Sequence, residues 1–176
     1  NQFDEPGRYL YLRDDDTGDF WTATWKPVAK PLTEYRTLCR HGTAYTQFES
    51  DYAGIHSSAL YYVPIGATHE IWRLCVENTG DQPRAISVFS YCEFSNENNY
   101  EQDTVNLQYT QFISRTEFMG DHILQHINEY WEPGEDGSNG RERFLGLAGA
   151  DITSCTGRRE AFLGRNRFDM PQALLE

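Results

Sequence analysis

The most constraining feature of this chain is a succession of short runs of β-forming residues, cut by turn residues roughly every 10–12 positions. Arg8–Arg13 (Arg-Tyr-Leu-Tyr-Leu-Arg) alternates aromatic and aliphatic residues and stops at Asp14-Asp-Asp-Thr-Gly18. Phe20–Trp25 follows and is ended by Pro27. Two such runs around an Asp/Gly turn predict a hairpin. Tyr35–Arg40, Thr43–Ser50, Ile55–Val63, Thr68–Asn78 and Ala85–Phe94 read as further strands. Gly42, Asp51-Tyr-Ala-Gly54, Pro64-Ile-Gly66 and Thr79-Gly-Asp-Gln-Pro83 supply the breaks. In Glu70–Asn78, Trp72, Leu74 and Val76 share an apolar face, while Ile71, Arg73, Cys75 and Glu77 share a mixed one. That pattern fits a strand covered mainly on one side. Its junction with Ala85–Tyr91 through Asn78-Thr-Gly-Asp-Gln-Pro83 predicts an outer hairpin. No stretch holds a long 3.6-residue period, so helix is expected to be scarce and the fold an all-β antiparallel sandwich. Ser95–Val105, Tyr130–Gly140 and Gly164–Gln172 read as loops.

Composition narrows the function. A chain of 176 residues with 39% hydrophobic and 14% aromatic content can bury a core, so wholesale disorder is excluded. The net charge of -12 repels phosphate backbones and anionic lipid, which argues against nucleic-acid and membrane-surface roles. No apolar run approaches the ~20 residues that a membrane span needs. Asn1–Arg8 lacks the basic-then-apolar order of a secretion signal. With no initiator Met, the chain is expected to begin inside a longer polypeptide. Cys39, Cys75, Cys92 and Cys155 are widely spaced with no CxxC pair, so free, reduced thiols in a cytoplasmic protein are expected. No ligands stand at zinc-finger spacing.

Several groups could carry chemistry. Asp14-Asp-Asp16 could hold a hard cation, but a calcium loop spaces its ligands and adds a bidentate Glu. Asp before Thr-Gly is a common turn former, and the turn reading takes precedence. Arg40-His41-Gly42 could offer a general base and an anion clamp, but no Gly-x-Ser-x-Gly elbow supplies a nucleophile. The plainer reading makes His41 a structural hydrogen-bonder. His122 and His126 would pair on a helix, but His122–Ile127 reads better as a strand, where they share one face without converging on one ion. Trp21, Trp25, Tyr9, Tyr11, Tyr61 and Tyr62 could line a sugar platform. Filling a sandwich core explains them more simply, because aromatics are favoured strand residues. The amides and hydroxyls of Tyr100–Gln111 suit sugar hydroxyls, though residue type alone does not separate that role from a plain polar loop.

The string Gly7-Arg-Tyr-Leu-Tyr-Leu-Arg-Asp-Asp-Asp-Thr-Gly-Asp-Phe-Trp-Thr-Ala-Thr-Trp-Lys-Pro-Val-Ala-Lys30 closely resembles the amino-terminal domain of the disaccharide phosphorylases of glycoside hydrolase family ninety-four. These are the cellobiose, chitobiose and cellobionic acid phosphorylases. Further matches run in order: Cys39-Arg-His-Gly42 with Tyr45, Tyr62-Val-Pro64 with Gly66, Asn78–Arg84, Glu93-Phe94, and Arg158–Gly164.

The resemblance implies a large twisted antiparallel β-sandwich, a supersandwich, followed by a helical linker and an (α/α)₆ barrel. The chain is expected to be an incomplete part of that sandwich, with the barrel absent. The implied reaction is inverting phosphorolysis of a β-linked glucosyl disaccharide by inorganic phosphate, giving α-glucose 1-phosphate and the acceptor sugar. An Asp of the barrel is the implied acid, so no residue of this chain is expected to be catalytic and the chain alone is expected to be inactive. Phosphate is a co-substrate, and no metal or organic cofactor is implied. The family also implies a cytoplasmic homodimer in which a loop, here Ser95–Gln111, reaches over the partner's active site. Gln108, Tyr109 and Thr110 are the implied acceptor-side contacts. Tyr109 stands where cellobiose phosphorylases typically carry Arg, which points away from cellobiose as substrate. The alternatives from other classes are a free-standing carbohydrate-binding module, needing an exposed aromatic row, and a structural assembly domain without enzymatic role.

Overall fold

The computed structural model describes residues 7–94, 114–128, 140–165 and 167–176. The chain divides into two compact units, Asn1–Gly7 with Cys92–Phe162, and Arg8–Tyr91 with Leu163–Glu176. The sequence expectations for 95–111 and 130–139 lie outside the described residues. Among the described residues the structure is nearly all β, as the alternation of short runs predicts.

The second unit holds two antiparallel sheets. One has β1 (Arg8–Asp14) between β2 (Phe20–Thr22) and β7 (Ile86–Cys92). The other is a meander in the order β3 (Arg36–His41), β4 (Tyr45–Tyr52), β5 (Ile55–Tyr62) and β6 (Ile71–Asn78). The predicted β1–β2 hairpin is present, with Tyr11 opposite Thr22 and Arg13 opposite Phe20. β5 follows its period of two strictly: Ile55, Ser57, Ala59 and Tyr61 are buried and the residues between them are half-buried. On the same face of the meander lie Phe48, Trp72 and Leu74, which join a core of Leu10, Leu12, Trp21, Ala23, Tyr35, Ile55, Ala59 and Tyr61. Trp72 and Leu74 thus occupy the face read as apolar from their alternation. Two hydroxyls inside this face satisfy one another, Ser50 and Ser57 meeting at 2.7 Å across the β4–β5 ladder.

β1 is covered on both faces. Leu10 and Leu12 enter the core, and Tyr11 on the opposite face donates its hydroxyl to the Phe168 carbonyl at 3.0 Å. Phe168 also packs against Tyr9 and Tyr91, with ring centroids 5.3 Å away in both cases. The basic loop predicted at Gly164–Gln172 therefore contributes apolar cover through the buried Phe168, and Leu174 just beyond it is buried too.

β4 and β5 are joined by Ala53-Gly54, with φ of 50° and 78°. Two positive φ values in a two-residue loop match the twist of the strands it joins. A Cβ at Gly54 would meet nothing within 4 Å, so only backbone strain opposes a side chain there. Gly54→Ala is expected to destabilise by about 1 kcal/mol, read as a shift of the urea midpoint.

One expected pairing is absent. β6 and β7 do not form a hairpin; β6 is the edge of the meander and β7 pairs with β1. The linker is drawn elsewhere by tertiary bonds. Thr79 donates both its N–H and its hydroxyl to the Gly54 carbonyl, at 2.9 and 2.8 Å. Arg84 donates to the Ala53 carbonyl at 2.9 Å, and the Asp15 N–H donates to the Ala85 carbonyl at 2.9 Å.

The first unit contains a three-stranded antiparallel sheet with β9 (His122–Asn128) between β8 (Ser114–Phe118) and β10 (Gly140–Gly146). The strand at His122–Ile127 was predicted; β8 and β10 were not. Gly157 lies so close to Thr116 of β8 that a Cβ would sit 1.8 Å from its hydroxyl oxygen. A helix of five residues, α1 (Arg159–Leu163), follows it.

Candidate functional site

The acidic run at the end of β1 is a clamp. Asp14 is 1% exposed. Its carboxylate accepts the Asp16 N–H at 3.0 Å and pairs with the Arg84 guanidinium. Burial pushes the Asp14 carboxyl up, but the bonds from Arg84, from the Asp16 N–H and from Thr17 outweigh it and hold the group below its ordinary value. Asp15 accepts the Ser87 hydroxyl at 2.6 Å and lies 3.6 Å from Arg13. The Gly18 N–H closes the turn on the Asp14 carbonyl at 2.8 Å. The turn reading of Asp14–Asp16 holds. Among the described residues no group of three His, Cys, Asp or Glu is placed to hold a metal ion.

Asp19 binds the Lys30 ammonium, the Tyr52 hydroxyl at 2.8 Å and the Phe20 N–H at 3.0 Å. Burial raises its carboxyl, and the Lys30 and Tyr52 hydrogen bonds bring it down below the usual value. Tyr35 ties the same region together, donating to the Thr22 carbonyl at 2.7 Å and accepting the Trp25 N–H at 3.2 Å.

Half of the six aromatics that could line a sugar platform are buried instead, in keeping with the core reading. Trp21, Tyr11 and Tyr61 are 1%, 0% and 5% exposed, and Trp25 and Trp72 pack against the core. Burial pushes the Tyr61 phenol up to about 12, with the Arg8 guanidinium opposing and Glu70 adding to the rise. Arg8 stands 5.4 Å above the Tyr61 ring and 6.0 Å from that of Trp72, while its head group pairs with Glu70 at 2.6 Å.

Arg40 and His41 do not act together, because successive strand residues point to opposite faces. Arg40 pairs with Glu49 at 3.0 Å. His41 bonds Thr46 at 3.0 Å through Nδ1 and lies 3.3 Å from the Cys39 sulfur through Nε2. The structural reading of His41 therefore describes one nitrogen, and the thiol beside the other was missed. The i, i+2 spacing of Cys39 and His41 was the available signal, but the predicted strand stopped at Arg40, one residue short of His41. His122 and His126 share one face of β9 without converging. His122 takes Asp121 at 2.6 Å and His126 takes Glu142 at 3.1 Å. His56 pairs with Asp51 at 2.8 Å.

A hollow lined by Glu34, Arg36, Asp51, Tyr52, Ala53 and Gly54 holds about 180 Å³, below the ~300 Å³ from which small-molecule pockets usually start. Cys39, Cys75 and Cys155 are exposed, Cys92 is half-buried, and none of the four is in a disulfide. Gln108, Tyr109 and Thr110 lie outside the described residues.

Residues 1–176 match the family described as glycosyl hydrolase 94, supersandwich domain. The chain is 40% identical over 168 residues to N,N'-diacetylchitobiose phosphorylase of Vibrio furnissii, covering 93% of this chain and 20% of that protein. It is 40% identical over 166 residues to the Vibrio proteolyticus protein of the same name, covering 94% and 20%. Solabiose phosphorylase of Paenibacillus borealis is 34% identical over 161 residues, covering 89% and 19%. The chain thus spans about a fifth of the length of the relatives it matches.

Proposed function

Because this chain belongs to the glycosyl hydrolase 94 family, as its supersandwich domain, we propose that it is the non-catalytic part of an inverting disaccharide phosphorylase. The whole protein cleaves a β-linked glucosyl-type disaccharide with inorganic phosphate, releasing an α-sugar 1-phosphate and the acceptor sugar. The observation that carries this reading is the 40% identity, over more than nine-tenths of the chain, to two proteins named as phosphorylases. Those relatives put N,N'-diacetylchitobiose ahead of glucosyl disaccharides in the order of substrates to test. The state of the carboxylates supports a non-catalytic role. Asp14, Asp15, Asp19, Asp51 and Glu49 are each engaged by a cation, hydroxyl or imidazole of the same unit.

Inversion needs a proton donor and a nucleophile on opposite faces of the sugar ring. Phosphate is the nucleophile, the donor comes from an (α/α)₆ barrel in the rest of the polypeptide, and no organic cofactor takes part. This domain contributes dimer contacts and the loop 95–111, whose Gln108, Tyr109 and Thr110 face the acceptor sugar in a cytoplasmic homodimer. The carbohydrate-module alternative needs an exposed aromatic row, and among the described residues the burial of Trp21 and the core packing of the half-buried Trp25 and Trp72 count against it.

The test is phosphate-dependent release of sugar 1-phosphate by the whole polypeptide from N,N'-diacetylchitobiose, solabiose, cellobiose and cellobionic acid. No release from any of them overturns the assignment, and release by these 176 residues alone overturns the division of labour. Tyr109→Ala is expected to raise the acceptor KM in the synthetic direction about ten-fold, the loss of roughly one stacking contact. The KM for phosphate should change far less, and equal effects on both reject the loop assignment.

A further inference from the structure

One face of β3 carries a constellation that phosphorolysis does not use. β3 is the edge of the meander and all six of its residues are exposed. Cys39 and His41 are two apart and share a face, and Thr46 lies directly opposite His41 in the β3–β4 ladder. The Cys39 sulfur is 3.3 Å from His41 Nε2, and His41 Nδ1 is 3.0 Å from the Thr46 hydroxyl oxygen. With Nδ1–H donating to that oxygen, the Nε2 lone pair faces the thiol. A soft nucleophile, a base and a group that orients the base thus stand in line. Cys75 and Cys155 are also exposed, yet among the described residues neither has a histidine within hydrogen-bond distance.

We propose that Cys39 is a thiol-modification site for small disulfides, with His41 as its base and Thr46 as the residue that positions the imidazole. As the Cys39 sulfur attacks one sulfur of a disulfide, its proton passes to His41 Nε2. A new S–S bond forms between Cys39 and that half, and the original S–S bond breaks. The other half departs as a thiolate and takes the proton from His41 to become a thiol. Cys39 is oxidised, the departing half is reduced, and no further reactant is needed. A free thiol reverses the step along the same path.

The test treats the whole polypeptide carrying this domain with oxidised glutathione at neutral pH and follows each cysteine-containing peptide by mass spectrometry. Cys39 is expected to gain a glutathionyl group about ten times faster than Cys75 or Cys155. His41→Ala should remove that advantage while leaving Cys75 and Cys155 at their own rates, which also reports that the fold is kept. Thr46→Val should lower the Cys39 rate a few-fold by loosening the imidazole. A Cys39 rate in the unaltered protein at or below those of Cys75 and Cys155 overturns the proposal. So does a fast Cys39 in His41→Ala. Should that variant unfold, the ranking in the unaltered protein and the Thr46→Val comparison decide.

Discussion

Arg84→Ala is expected to cost about 3 kcal/mol of stability at neutral pH, because it leaves the Asp14 carboxylate buried without its cation. The Asp14 side chain is 1% exposed and the Arg84 side chain 24%, so in the intact pair the carboxylate is shielded from solvent and relies on the guanidinium. The same arginine donates to the Ala53 carbonyl, so the substitution also frees the linker that carries the chain from β6 to β7. Denaturation in urea reads the loss directly. A fall of less than about 1 kcal/mol would mean that the pair is as weak as an exposed one. Adding Asp14→Asn to Arg84→Ala should recover part of the loss, since an uncharged amide costs less to bury than a carboxylate.

The pH dependence has a definite sign. The carboxyls of Asp14 and Asp19 are held below their ordinary value of 3.8, so the stability they contribute is present above that value. It is lost as pH falls below 3.8 through the lower values of the folded state. In Arg84→Ala the acid-induced fall should therefore be shallower than in the unaltered chain.

Trp21→Ala is expected to destabilise by about 3–5 kcal/mol, the range for emptying a buried aromatic site. Trp21 is 1% exposed and its ring lies 5.2 Å from that of Tyr52, whose hydroxyl holds Asp19. Loss of the indole opens a cavity between the β1–β2 hairpin and the meander and frees Tyr52 as well. A denaturation midpoint close to that of the unaltered chain would show that the neighbours collapse into the space.

Much of this architecture is legible in the residues. Strands β1 to β7 follow from alternation, and the β1–β2 and β4–β5 turns from Asp-Gly and Ala-Gly chemistry at fixed positions. What failed was the pairing of β6. Asn78-Thr-Gly-Asp-Gln-Pro83 has the composition of a hairpin turn, but Thr79 and Arg84 spend their donors on the carbonyls of Gly54 and Ala53. Bonds between residues 25 and 31 positions apart have no local signature. β8 and β10 were missed because charges interrupt them: Arg115 and Glu117 in one, Arg141, Glu142 and Arg143 in the other. Both flank β9 in a small sheet whose described residues are none of them fully buried, so the apolar alternation that marks a buried strand is weak. The disaccharide-phosphorylase family was legible as a string of motifs from Gly7 to Gly164. The proposed acceptor role of 95–111 rests on that family alone, since amides and hydroxyls there fit any polar loop.

The placement of β1 sets an order of assembly. One neighbour, β2, is supplied by the next few residues, but the other, β7, arrives only after the entire four-stranded meander has been laid down. Until then, one side of β1, four of whose residues end up buried, presents bare amides and carbonyls to whatever is nearby. A ribosome that has emitted the chain only as far as Pro83 holds a hairpin able to pair with a stranger, and synthesis past Cys92 closes that window.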